Sequence, residues 1–279
     1  MAALGVFGLI ISDFTDTGAM LSNAVSAVIL IALALIPLVI LIKDGSGSVP
    51  QIAVMRTGFI GRLISVLYSI FFISAAADFI AKYSVFVSER YFEASAAVCA
   101  VFLGLICGYI SHTGAETVSR MSTVLIFMLI LTGAAYVISG FGDIISYDYA
   151  KIVPETISLS GGLEGIFPVA AAGAAALCIL SGGLGERTRA GVFGGAAAML
   201  IALSLVIIGV WAVLGDFVFA SDYPMADAVI YASRQMSFRP DGAFFMLWTI
   251  IAAAVSSLMC ACAGHSLTAA VPKFRWWGI

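Results

Sequence analysis

Charge is what this sequence has least of. Of its 279 residues, 10% are Asp, Glu, Lys or Arg, while 62% are hydrophobic. Soluble globular domains carry about 25% charged and about 45–50% apolar residues, so the composition excludes that class. The 13 Lys and Arg residues form no cluster or stripe that could follow a phosphate backbone, which excludes a nucleic-acid partner. Histidine is rarer still. His112 and His265 have no nucleophile or acid at motif spacing, so no enzyme constellation emerges. The phosphate-cradling pattern G-x-x-x-x-G-K-[ST] is absent.

Cysteine is sparse and poorly placed for chemistry. Cys99, Cys107, Cys178, Cys260 and Cys262 all lie in apolar runs, where cysteine acts as a small hydrophobe. The last two form C-x-C, with no His at finger spacing, so neither a metal nor another cofactor is expected. A basic leader is also lacking. The apolar run at residues 2–11 has no positive n-region before it and no A-x-A site after it, unlike a signal peptide. A bilayer core needs about 20 residues, so this run reads as the second half of a span. The chain is accordingly expected to be a single transmembrane domain, 1–279, truncated at both ends. Residues 1–22 hold the partial first helix, 23–264 the second to eighth helices, and 265–279 a cytoplasmic tail or the start of the next element.

What the sequence does have is long apolar stretches. Seven are bounded by charge or by Gly and Pro: Asn23–Ile42, Gly58–Tyr83, Ala94–Ser111, Arg120–Ser139, Leu163–Ser181, Gly191–Gly215 and Ala243–Gly264. None shows the alternation of an outer-membrane strand. The expectation is an all-α integral membrane protein, a helical bundle of about seven full spans plus a partial first one, with the lipid bilayer as a partner. Lys43, Arg56, Arg120, Arg187, Arg189, Lys273 and Arg275 fall in one set of connections, with Arg62 just inside a span. The opposite set carries most of the acids, so the basic set is expected to be cytoplasmic. Two long external connections, Gly140–Gly162 and Asp216–Gly242, invite short surface helices. In the second, Asp222, Pro224 and Asp227 mark a helix start, with Met225–Met236 as its body.

One span is unlike a simple anchor. Gly161–Gly183 reads GGLEGIFPVAAAGAAALCILSGG, with Glu164 near its start and Pro168 and Gly173 inside it. Broken spans of this kind expose backbone groups to a substrate near the midplane of a transporter. Glu164 is either a dipole-stabilised cap or a group that handles substrate or protons. Asp78 is either paired with Lys82, one helical turn on, or part of a polar pathway. Arg62 can snorkel to the headgroups from its helix end. The small residues of 170–176 and the G-x-x-x-G pair Gly191 and Gly195 suit close helix packing or, alternatively, a backbone-lined cavity.

Short motifs then accumulate. Gly114, Glu116 and Arg120 stand in HTGAETVSRMSTVLIF, Tyr223 and Pro224 form a YP pair, and Arg239, Asp241 and Trp248 occur in FRPDGAFFMLW. Together with the order of the spans, these make the chain resemble the spore germination permeases, the B subunits of nutrient germinant receptors. That family belongs to the amino acid–polyamine–organocation transporter superfamily. Two departures are plain: TGAMLSN lacks the acidic and Trp residues expected between the first two helices, and the last two helices are absent.

The resemblance implies a partial five-plus-five inverted-repeat transporter fold whose first and sixth helices are broken. Ligand would lie between them, flanked by the third and eighth. On that mapping Glu164, Gly165, Pro168 and Gly173 come from the sixth helix, Asp78 from the third and Trp248 from the eighth. The implied function is a membrane subunit that binds a small nutrient such as an amino acid and triggers germination. Implied partners are an A-type membrane subunit and a C-type lipoprotein, and the implied location is the inner membrane of the spore or the cell membrane. Two alternatives stand beside it. One is an amino acid–proton symporter of the same superfamily with Glu164 or Asp78 as proton carrier; the other is an inactive truncated paralogue.

Overall fold

A computed structural model describes residues 47–91, 95–113, 221–235 and 241–271, with isolated residues at 117, 173, 175, 176, 179, 209, 210, 213–215 and 217. Of this part, 91% is helical. The described residues form five helices: α1 (Val49–Thr57), α2 (Phe59–Arg90), α3 (Ala96–His112), α4 (Pro224–Gln235) and α5 (Asp241–Ala270). They belong to two compact units. One holds α1, α2, α3, residues 173–179 and α5 from Ile251 onward; the other holds residues 209–217, α4 and α5 up to Ile250. The expected spans Asn23–Ile42 and Arg120–Ser139 lie outside the described residues, and of Leu163–Ser181 and Gly191–Gly215 only isolated helical positions are described.

Among the described residues two helices, α2 and α5, are long and apolar enough to cross a membrane, and α3 is a shorter apolar helix. Both long helices outrun the stretches expected from hydropathy. The expected Gly58–Tyr83 becomes Phe59–Arg90, and Ala243–Gly264 becomes Asp241–Ala270. Hydropathy marks where apolar residues stop, not where backbone hydrogen bonds stop. After Tyr83 the sequence SVFVSER has no Gly or Pro to end the helix. In α5 the limit comes at Val271, the residue before Pro272, which a following proline pushes out of the helical region.

The sequence reading placed Arg56 in a connection, whereas the structure places it in the last turn of α1. This helix begins at the cap Ser48, whose backbone N–H donates to Gln51 Oε1 at 3.1 Å, with Pro50 in the first turn. It ends at Gly58, where φ is 58° and ψ is -108°. That backbone conformation favours glycine, and it lets α2 start at the next residue. The two helices then fold back tightly on each other. A Cβ on Gly61 would lie 2.2 Å from the backbone oxygen of Ala53. Ser65 Oγ also donates to Pro50 O at 3.4 Å across the pair.

α2 carries large apolar side chains on its exposed face as well as its buried one. Its buried face is Gly61, Ser65, Ser69, Phe72, Ala76, Phe79, Tyr83 and Phe86, spaced by three or four residues. Phe59, Ile60, Leu63, Leu67, Ile70 and Ile73 are exposed instead. α3 follows the same plan, burying Leu103, Cys107 and Ser111 while exposing Val101, Phe102, Leu105, Ile106 and Tyr109. α5 differs from both. In its most apolar window 56% of residues are buried, against 28% in α2.

Candidate functional site

Hydroxyl groups show how the interior is built. Along α5, Thr249, Ser257, Ser266 and Thr268 each donate to the carbonyl four residues earlier: Phe245, Ala253, Cys262 and Gly264. Ser84 on α2 does the same to Ile80 O. Such back-bonding satisfies a hydroxyl without any partner helix, which suits an environment that offers no water.

The middle of α5 carries a buried polar group of a different kind. Ala253 O accepts from Ser257 Oγ and also from Cys107 Sγ, which reaches it from α3 at 3.6 Å. Ser256, 0% exposed, makes no hydrogen bond through its Oγ among the described residues. The polar group beside it is the Cys107 sulfur, a weak partner. Cys107, Ser256 and Ser257 thus form a small polar cluster near the midpoints of two apolar helices. Hydropathy and a search for ionisable groups both pass over it. The adjacent serines in AVSSLM were the visible sign.

No family model matches the chain, and no match to a curated protein is found.

The residues singled out from sequence divide by place. Asp78 and Lys82 form an ion pair of 3.0 Å at helical spacing, with side chains 44% and 50% exposed. Asp78 is therefore engaged on a helix surface, in the simpler of its two expected arrangements. Gly173 is helical and buried. Trp248 is fully buried, with its ring 6.2 Å from that of Phe244 and tilted by 54°. Tyr223 and Pro224 open α4: Asp227 N donates to Tyr223 O at 3.0 Å as the first helical bond. Ser221 Oγ donates to Asp227 Oδ2 and accepts from Tyr223 N at 3.2 Å, which ties the approach to α4 to its first turn. The helix expected with Met225–Met236 as its body is found as Pro224–Gln235. Asp241 is the first residue of α5.

Glu164, Gly165 and Pro168 lie outside the described residues, as do Gly114, Glu116, Arg120 and Arg239. Asp78 and Gly173 belong to one compact unit and Trp248 to the other. Four free cysteines, Cys99, Cys107, Cys260 and Cys262, and no group of three metal-ligating side chains occur among the described residues.

Proposed function

We propose that the chain is a multi-pass integral membrane protein of the germinant-receptor permease type, which binds a small nutrient such as an amino acid within its helical bundle. The single observation that carries the membrane part is the burial pattern of α2 and α3. Phe72, Phe79, Phe86 and Leu103 are buried, yet Phe59, Ile60, Leu67, Phe102 and Leu105 are exposed on the same helices, so large apolar side chains cover the outward faces as well. Exposing such a surface to water is strongly unfavourable, at about 25 cal/mol per Å² of apolar area, whereas lipid covers it at no such cost. Arg62 and Lys82 bracket the apolar part of α2 twenty residues apart, and both are exposed. At 1.5 Å per residue that separation is about 30 Å, the thickness of a hydrocarbon core.

The ligand part rests on the resemblance together with the polar cluster at mid-helix. Cys107, Ser256 and Ser257 offer neutral hydrogen-bonding groups at the depth where transporters of this architecture hold small polar ligands. A germination role, an A-type membrane subunit and a C-type lipoprotein belong to the same reading. The test is binding of a panel of radiolabelled amino acids to the full chain in lipid nanodiscs, with and without those two subunits. Saturable binding without uptake into vesicles is the expected result. Binding of none of the panel, with both subunits present, counts against a nutrient-sensing role.

A further inference from the structure

The corner where α1 turns into α2 combines two features that the ligand reading does not use. Met55, Phe59, Ile60 and Leu63 are large, apolar and 68%, 80%, 60% and 54% exposed. Arg56 and Arg62 are exposed among them. Between Gly47 and Ala77 these two arginines are the only charged side chains of the sequence. The corner is also held in shape. Gly61 lies against Ala53, and Ser65 reaches Pro50 O, so α1 and the first two turns of α2 keep a fixed spacing.

We infer that this corner binds anionic phospholipid, with the two guanidinium groups on the headgroups and the four apolar side chains in the acyl boundary. The inference rests on the membrane reading above and adds a lipid preference to it. Apolar side chains interleaved with cations on a short amphipathic surface are the chemistry that enters a lipid interface rather than the hydrocarbon core. Arg62 lies one core thickness from Lys82 along α2, which puts the corner at one headgroup layer. The Lys and Arg distribution makes that layer cytoplasmic, the leaflet that carries anionic lipid. Arginine suits the phosphodiester because its planar fork donates two parallel hydrogen bonds. Each basic residue near such a surface adds about 1 kcal/mol, a factor of about five in lipid occupancy.

The experiment uses the full chain in vesicles of mixed phosphatidylcholine and phosphatidylglycerol, with a photoactivatable analogue of one or the other. Labelled peptides are mapped by mass spectrometry. The expected result is preferential labelling of residues 55–63 by the anionic analogue. Replacing Arg56→Gln or Arg62→Gln lowers the preference about fivefold each, and the pair Arg56→Lys with Arg62→Lys restores most of it. Circular dichroism of each variant, unchanged in helicity, shows that the bundle still folds. Equal labelling by both analogues overturns the lipid preference and leaves the membrane reading standing. Absence of labelling by either, with the chain stripped from vesicles by alkaline carbonate, overturns the membrane reading and the preference together.

Discussion

A methyl group on Gly61 would lie 2.2 Å from the carbonyl oxygen of Ala53, closer than any two such atoms can approach. The obstacle is backbone, so no side-chain rotation relieves it. Gly61→Ala is predicted to push α1 away from α2 and cost about 1–3 kcal/mol, the usual range for overpacking. Gly104 on α3 supplies the contrast, because a Cβ there meets nothing within 4 Å. Gly104→Ala should leave stability unchanged or raise it by up to about 1 kcal/mol through helix propensity. Thermal melts of both variants in the same detergent decide the matter, and equal shifts would sink the close-approach account.

Asp78→Asn is predicted to lower stability by no more than about 0.5 kcal/mol, the worth of an exposed helical ion pair one turn apart. Both partners of the 3.0 Å pair keep about half their surface exposed, so neither is trapped by burial. Ligand binding should be unchanged in this variant. A tenfold loss of binding at constant melting temperature would reassign Asp78 to the ligand pathway.

These two sites mark how far the sequence could be read. The helices α2, α3 and α5 were legible because apolar residues run past the length of any ordinary core strand. The start of α4 was legible from Pro224 and Asp227. α1 was not, since VPQIAVMRT is nine residues long, and Arg56 looks as much like a loop charge as a last-turn one. The helix ends at Arg90 and Ala270 were missed for a related reason: hydropathy reports the solvent of a side chain, and these ends are fixed by backbone bonding and by Pro272. The polar cluster was hidden more thoroughly. Serine is only weakly polar and cysteine reads as a small hydrophobe, and only packing reveals that Cys107 of α3 meets Ala253 of α5. Glu164 stands out in the sequence because a carboxylate is costly in a membrane, whereas neutral hydroxyls do not.

Ser256→Ala should raise stability by about 1 kcal/mol. Its hydroxyl is fully buried and has only the weak Cys107 sulfur beside it among the described residues, so the folded state carries a desolvation cost of about 1–3 kcal/mol that alanine removes. Ser257→Ala is the counterpart. It deletes the bond to Ala253 O and should lower stability by about 1 kcal/mol. Chemical unfolding in mixed micelles gives both values; a loss of stability in Ser256→Ala comparable to that in Ser257→Ala would show that Ser256 has a bonding role.

Gly173→Leu tests the niche expected in the span GIFPVAAAG. Gly173 is helical and buried, so the space beside its Cα is occupied either by a neighbouring helix or by the ligand site. The two arrangements respond differently to size. If the glycine permits helix contact, even Gly173→Ala strains the packing, and melting temperature falls stepwise from Gly to Ala to Leu with binding following it down. If the glycine borders a ligand niche, Ala is accommodated with little change in melting, while Leu fills the niche and lowers amino-acid binding at least tenfold in protein that still melts cooperatively. The second pattern is the predicted one, because Pro168, five residues earlier in the sequence, has no backbone N–H to give a helix. Unchanged affinity in a well-folded Gly173→Leu variant would falsify the niche.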